Sequence, residues 1–257
     1  MNEIIEATLI PFIGTALGSA CVFFTKGSFS DKIKKALSAF AAGIMTAASV
    51  WSLIIPALEQ SEELGRFAFL PCVIGIVTGI VFLIFLDRLI IWIKAKCKNS
   101  SPAEEKKTSM LLLAVVIHNI PEGMAAGAVY AALLTGSAEI SAASALALVI
   151  GISIQNFPEG AIISLPLHSK GMTKLRAFLY GIMSAVAEAF GAFVTLAVAE
   201  LIVPFLPFML CFAAGAMLYV VVRELVPEFS CGKWVEISVL IFSFGFSVMM
   251  ALDTALG

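Results

Sequence analysis

Residues 142–167 read AASALALVIGISIQNFPEGAIISLPL, 26 residues with one charged side chain, Glu159, near the centre. A helix needs about 20 apolar residues to cross the hydrocarbon core of a bilayer, so this stretch is long enough to span one. The rest of the chain has the same character. Of 257 residues, 60% are hydrophobic and 13% charged, and the mean hydropathy is +1.03. A soluble domain carries about 25% charged residues, so too little polar surface is present here to cover a water-facing globule. The composition also excludes collagen, low-complexity disorder and a disulfide-rich scaffold. The expectation is an all-α, polytopic membrane helical bundle.

Eight stretches qualify as spans, at about 4–25, 36–58, 67–93, 110–134, 142–167, 176–202, 205–226 and 235–256. The connectors between them are short, so residues 1–257 are expected to form one transmembrane domain. The weakest boundary is the sixth to seventh, marked only by Pro204 and Pro207. The chain starts with two acids and no Lys or Arg before its apolar run, unlike a signal peptide, so a retained first span is expected. The five cysteines are odd in number and share no metal or redox spacing, which predicts inert thiols.

Net charge is only −2, but the charges are sorted. Fifteen of the sixteen Lys and Arg residues fall in or beside the connectors after spans 1, 3, 5 and 7, and Arg66 is the exception. Basic residues mark the cytoplasmic side of a membrane protein, so both termini are expected outside the cytoplasm, in the cell membrane. The Asn99-Ser100-Ser101 sequon then lies inside and unmodified. Three acids lie away from both faces. Glu122, Glu159 and Glu188 sit near the centres of spans 4, 5 and 6. A carboxylate at the bilayer centre costs at least about 2.5 kcal/mol, so three of them require a purpose.

Two of the three belong to a repeat. His118-Asn119-Ile120-Pro121-Glu122-Gly123 and Gln155-Asn156-Phe157-Pro158-Glu159-Gly160 match as [H/Q]-N-x-P-E-G on consecutive, hence antiparallel, spans. Such a repeat points to a pseudo-two-fold axis in the membrane plane, with a site at the repeat interface. His118 and Glu122 are four apart, as are Gln155 and Glu159, so each pair shares a helix face, with Asn119 and Asn156 on its flank. Each Pro lacks an N–H and frees the carbonyl four residues earlier, at Ile117 and Ile154. Imidazole and carboxylate suit Zn²⁺ and other first-row divalents, and amide oxygens accept several metals. Three carboxylates balance two divalent ions well enough for a binuclear site with Glu188 completing it.

At these residues the chain resembles the ZIP (Zrt/Irt-like) family of divalent metal transporters, most closely its GufA-like subfamily. HNIPEG and QNFPEG are similar to that family's signature, and the resemblance extends over the whole chain in span number. It implies that Met45, within AGIMTAASVWSLIIPALE of span 2, contacts metal, a position that periodicity alone reads as core. The implied first site is Met45, His118, Glu122, Gln155 and Glu159. The implied second is Asn119, Glu122, Asn156, Glu159 and Glu188. Some relatives carry Asp in place of Asn156, and the neutral amide weakens this second site or makes it structural or regulatory. Span 7 ends LYVVVRELVPEF, resembling a cytoplasmic exit region, with Arg223, Glu224 and Glu228 as exit residues.

The expected function is import of divalent metal ions by alternating access, Zn²⁺ first, with Cd²⁺, Fe²⁺ or Mn²⁺ as further substrates. The resemblance implies that spans 1, 4, 5 and 6 slide or rock against spans 2, 3, 7 and 8. The expected partners are divalent metal ions and the lipid bilayer, with a homodimer left open, no nucleic acid and no prosthetic group. Two alternatives stand beside this reading. One is a proton or sodium carrier using the buried Glu residues. The other is an intramembrane zinc-dependent hydrolase, against which the absence of HExxH and the symmetry of the pentads weigh.

Overall fold

The computed structural model describes residues 2–25, 30–96, 103–136, 140–232 and 234–256. Eight long helices carry the fold, and no strand occurs among the described residues. We label them α1 (Asn2–Phe24), α2 (Asp31–Ala48, continuing through Ser49–Ile54 into Ile55–Glu59), α3 (Phe69–Lys96) and α4 (Ala103–Thr135). The second half comprises α5 (Ala142–Ser169), α6 (Lys174–Ala197), α7 (Leu206–Val220, continuing through Val221–Leu225 into Val226–Phe229) and α8 (Val235–Leu256). Each expected span corresponds to one of these helices. By length and hydropathy, seven described segments can cross a membrane, and α4 is the remaining long helix.

The α6–α7 boundary starts earlier than the two prolines suggested. Helix α6 stops at Ala197, and a single turn (Ala199–Ile202) and a tight turn (Val203–Phe205) precede α7. Pro204 and Pro207 fall in early turns, where their missing N–H costs nothing.

Helices α2 and α7 share an irregularity. Each widens into a π-type turn, Ser49–Ile54 and Val221–Leu225, just before Pro56 and Pro227. A proline inside a helix clashes with the carbonyl four residues back, here those of Ser52 and Arg223. A widened turn relieves that clash without ending the helix.

The helices pack in pairs that an inverted repeat explains. The closest pairs are α1 on α5, α4 on α6, α2 on α8 and α3 on α7. Exchanging α1 with α6, α2 with α7, α3 with α8 and α4 with α5 turns this set of pairs into itself. Helices α1, α4, α5 and α6 form one group, on which α2 and α7 lean through α5 and α4. The core is built of small residues such as Ala42, Ala126 and Ala214, all fully buried. Small side chains let helices approach closely where lipid offers no hydrophobic drive between them. The outer faces are apolar too, with Phe85, Phe190 and Leu240 each more than half exposed. A helix apolar all round fits a lipid surround.

Basic side chains gather at one end of the bundle. Lys174 donates to the carbonyls of Phe23 and Thr25 at the end of α1, at 2.9 and 3.1 Å. Lys35 donates to the Cys231 carbonyl, and Lys32 lies over the Trp234 ring. Of the other residues counted on this side, Lys26, Lys98 and Lys233, like the Asn99 sequon, lie outside the described residues.

Candidate metal centre

The [H/Q]-N-x-P-E-G repeats lie within continuous helices, so Pro121 and Pro158 interrupt hydrogen bonding without breaking α4 or α5. The glycine that closes each repeat governs its neighbourhood. A Cβ on Gly123 would run into the backbone carbonyl of Glu188, and one on Gly160 into that of Thr15. Both glycines therefore sit against a neighbouring backbone, α6 for α4 and α1 for α5. The first approach brings Glu188 beside the Glu122 turn.

Four side chains then form a hydrogen-bonded chain across three helices. Gln155 Nε2 donates to Glu122 Oε2 at 2.7 Å and to Asn156 Oδ1 at 2.8 Å. Asn156 Nδ2 donates to Glu188 Oε2 at 2.6 Å and, at 3.4 Å, to the carbonyl of Pro11 on α1. All four are buried, with exposures of 3% or less. Charged and amide groups in such surroundings are costly unless paired, and the chain pairs most of their atoms. Glu159, half-buried, acts electrostatically on Glu188 together with Glu122.

Some buried atoms have no hydrogen-bond partner, among them Glu188 Oε1, Asn119 Nδ2 and Thr15 Oγ1. An unpartnered buried carboxylate oxygen is uncommon in folded proteins and calls for a partner the side chains here do not supply, such as a water or an ion. The donor set offers carboxylate and amide oxygens, which divalent cations accept.

The structure thus brings together Glu122, Gln155, Asn156 and Glu188, with Glu159 in electrostatic reach of Glu188. Asn119 is buried on the same turn of α4 as Glu122, and Met45 is buried in α2 at 2% exposure. The His118 side chain lies outside the described residues. Among the described residues no three His, Cys, Asp or Glu side chains converge closely enough to hold one ion. In this geometry the amide groups of Gln155 and Asn156 stand between the carboxylates.

The expected exit residues are dispersed at the end of α7. Glu228 pairs with Lys34 of α2 at 2.7 Å, while Arg223 and Glu224 are exposed on the widened turn. Reading the sequence alone passed over three other carboxylate contacts, one of them from Tyr130 of α4, which donates to Glu6 of α1 at 3.0 Å. Ser52, in the widened turn of α2, donates to Asp253 of α8, and Tyr219 of α7 donates to Asp87 of α3. Their only sequence signal is an acid within an apolar run, and their partners become visible only in three dimensions.

A family model described as "ZIP Zinc transporter" matches residues 107–253. The chain is 34% identical to zinc transporter ZIP11 of Xenopus tropicalis, over 97% of this chain and 96% of that protein. It is 32% identical to zinc transporter ZIPB of Bordetella bronchiseptica, over 96% of this chain and 79% of that one. It is 31% identical to zinc transporter GufA of Myxococcus xanthus, over the full length of both.

Proposed function

Since the chain belongs to the ZIP family of zinc transporters, we propose that it imports divalent metal ions, Zn²⁺ foremost, through a midplane, binuclear site on α4 and α5, completed by Glu188 of α6 and Met45 of α2. Family membership makes it a multi-pass membrane transporter and not an enzyme. The observation that carries the site is the buried chain Glu122–Gln155–Asn156–Glu188, which links both repeats to α6.

Residues 1–257 act as one transmembrane unit in the cell membrane. The end of the bundle that collects Lys32, Lys34, Lys35 and Lys174 faces the cytoplasm, and the termini face outward. Met45, His118, Glu122, Gln155 and Glu159 hold the first ion. Asn119, Glu122, Asn156, Glu159 and Glu188 hold the second, with Glu122 and Glu159 bridging. Cd²⁺, Fe²⁺ and Mn²⁺ are further substrates.

Ion binding changes the hydrogen-bond pattern. Gln155 and Asn156 each donate an N–H to a carboxylate, so each amide must rotate to present its oxygen to a cation. The released carboxylate oxygens then become ligands, and the attraction of the ion replaces the lost hydrogen bonds. In alternating access, α1, α4, α5 and α6 shift against α2, α3, α7 and α8, carrying the site between the faces. Glu224 and Glu228 receive the ion at the inner end.

The test is Zn²⁺ uptake into proteoliposomes. Glu122→Ala and Glu159→Ala should each abolish uptake while leaving the protein folded and inserted. Wild-type uptake in either variant would sink the proposal.

A further inference from the structure

A second internal repeat lies outside the metal centre. Phe40-Ala41-Ala42-Gly43-Ile44-Met45 on α2 and Phe212-Ala213-Ala214-Gly215-Ala216-Met217 on α7 agree at five of six positions, 172 residues apart. Their packing repeats as well. A Cβ on Gly43 would strike the Phe242 carbonyl of α8, and one on Gly215 the Ile76 carbonyl of α3. In return, Gly245 of α8 faces the Phe40 carbonyl and Gly79 of α3 faces the Phe212 carbonyl. A single register carries α2 onto α7, and another carries α3 onto α8. Together they map all four close approaches onto one another.

The same exchange holds around the metal centre. Gly123 faces the Glu188 carbonyl and Gly160 faces that of Thr15; Gly191 faces the Ile120 carbonyl and Gly18 that of Phe157. The register that superposes the two P-E-G motifs thus also superposes Thr15 on Glu188. The widened turns of α2 and α7 start at Ser49 and Val221, again 172 residues apart. The pseudo-two-fold axis is therefore defined residue by residue, and it pairs Met45 with Met217.

Both methionines are 2% exposed and lie in the same apolar core. Met45 belongs to the helix that leans on α5, and Met217 to the one that leans on α4. The axis exchanges those two contacts along with the two repeats of the metal site. In an inverted-repeat transporter the site lies at the repeat interface and alternating access rocks one half against the other around it, so the axis that relates the halves also relates the two access states. Any contact that Met45 makes with the ion in one state then belongs to Met217 in the other.

We infer that Met217 is a metal-contacting residue, supplying a soft thioether to the transported ion in the access state opposite to the one served by Met45. The inference rests on the transport site proposed above. Its consequence is selectivity in both half-cycles. A soft ion such as Cd²⁺ keeps a sulfur contact on each side of the transition, whereas a hard ion such as Mn²⁺ gains little from either.

The experiment compares Met45→Leu and Met217→Leu, volume-conserving swaps that remove sulfur and that cores tolerate well. Purified protein is reconstituted into vesicles of known sidedness, and the apparent KM for Cd²⁺ and Mn²⁺ is measured with metal supplied from either face. Met45→Leu should raise the Cd²⁺ KM from one face and Met217→Leu from the other, each by about tenfold or more, the loss that follows removal of even an indirect metal contact. The Mn²⁺ values should stay near wild type. Met217→Cys, which restores a soft donor, should return the Cd²⁺ KM toward wild type and serves as the readout if the Leu variant folds poorly. A Met217 variant without sulfur that matches wild type from both faces overturns the inference, as does one that acts on the same face as Met45→Leu. Glu122→Ala is run in parallel. Continued Cd²⁺ transport there refutes the transport site itself, whereas a silent Met217→Leu beside an inactive Glu122→Ala refutes only the role of Met217.

Discussion

Replacing Asn156 by Asp tests the centre where its geometry is tightest. Asn156 Nδ2 donates to Glu188 Oε2 at 2.6 Å, and both side chains are buried. In Asn156→Asp, a carboxyl group replaces the amide donor, so the buried pair either keeps a proton between its two carboxyl groups or, when both are ionised, repels. Two unit charges about 4 Å apart repel by about 4 kcal/mol at an effective dielectric of about 20. The lost hydrogen bond to a charged group costs about 1.5–3 kcal/mol more. With both ionised, the metal-free protein should therefore melt several degrees lower, at about 2–4 °C per kcal/mol for a chain of this size. A divalent ion between the carboxylates removes the repulsion, and about 4 kcal/mol corresponds to nearly three powers of ten in affinity. Zn²⁺ titration and thermal melting of the detergent-solubilised variant, with and without metal, read both effects. The Zn²⁺-induced rise in melting temperature should exceed that of wild type. If metal-free stability and Zn²⁺ affinity both match wild type, the contact between Asn156 and Glu188 is not formed. A less stable variant with no gain in affinity would keep the contact but remove the ion from it.

Two further perturbations probe the surroundings of the site. Gly123→Val drives a branched side chain into the Glu188 carbonyl, forcing α4 and α6 apart; uptake should fall about 100-fold, the effect of a misplacement of about 1 Å, with insertion into the membrane retained. Lys34→Ala breaks the pair with Glu228, in which each side chain is about one-third exposed, at 33% and 32%; stability by chemical denaturation should change by less than about 1 kcal/mol.

Much of the fold and the membership of the candidate centre, though not the contacts within it, were legible in the sequence. Hydropathy located all eight helices because crossing a bilayer is a requirement on composition and length, which are local properties. The pentads gave Glu122, Gln155, Asn156 and Glu159 because residues four apart share a face whatever the helix packs against. Glu188 stood out as an acid in the middle of an apolar span. The hexads ending at Met45 and Met217 were equally visible in the letters, but sequences rich in Ala and Gly recur in membrane helices for packing reasons alone. Their correspondence acquires meaning only from the reciprocal glycine contacts.

The sequence by itself determined what each helix is: its length, its apolar surround, the end bearing its basic residues and the polar groups at its centre. Which helices meet, and at what register, was decided by tertiary structure. A helix apolar on every face carries no periodic stripe to name its partner. The choice falls to close backbone approaches at Gly123, Gly160, Gly43 and Gly215, each of which depends on the shape of a surface far away in the chain. Those approaches place Asn156 against Glu188, Ser52 against Asp253 and Tyr219 against Asp87. They also make Met217 the counterpart of Met45.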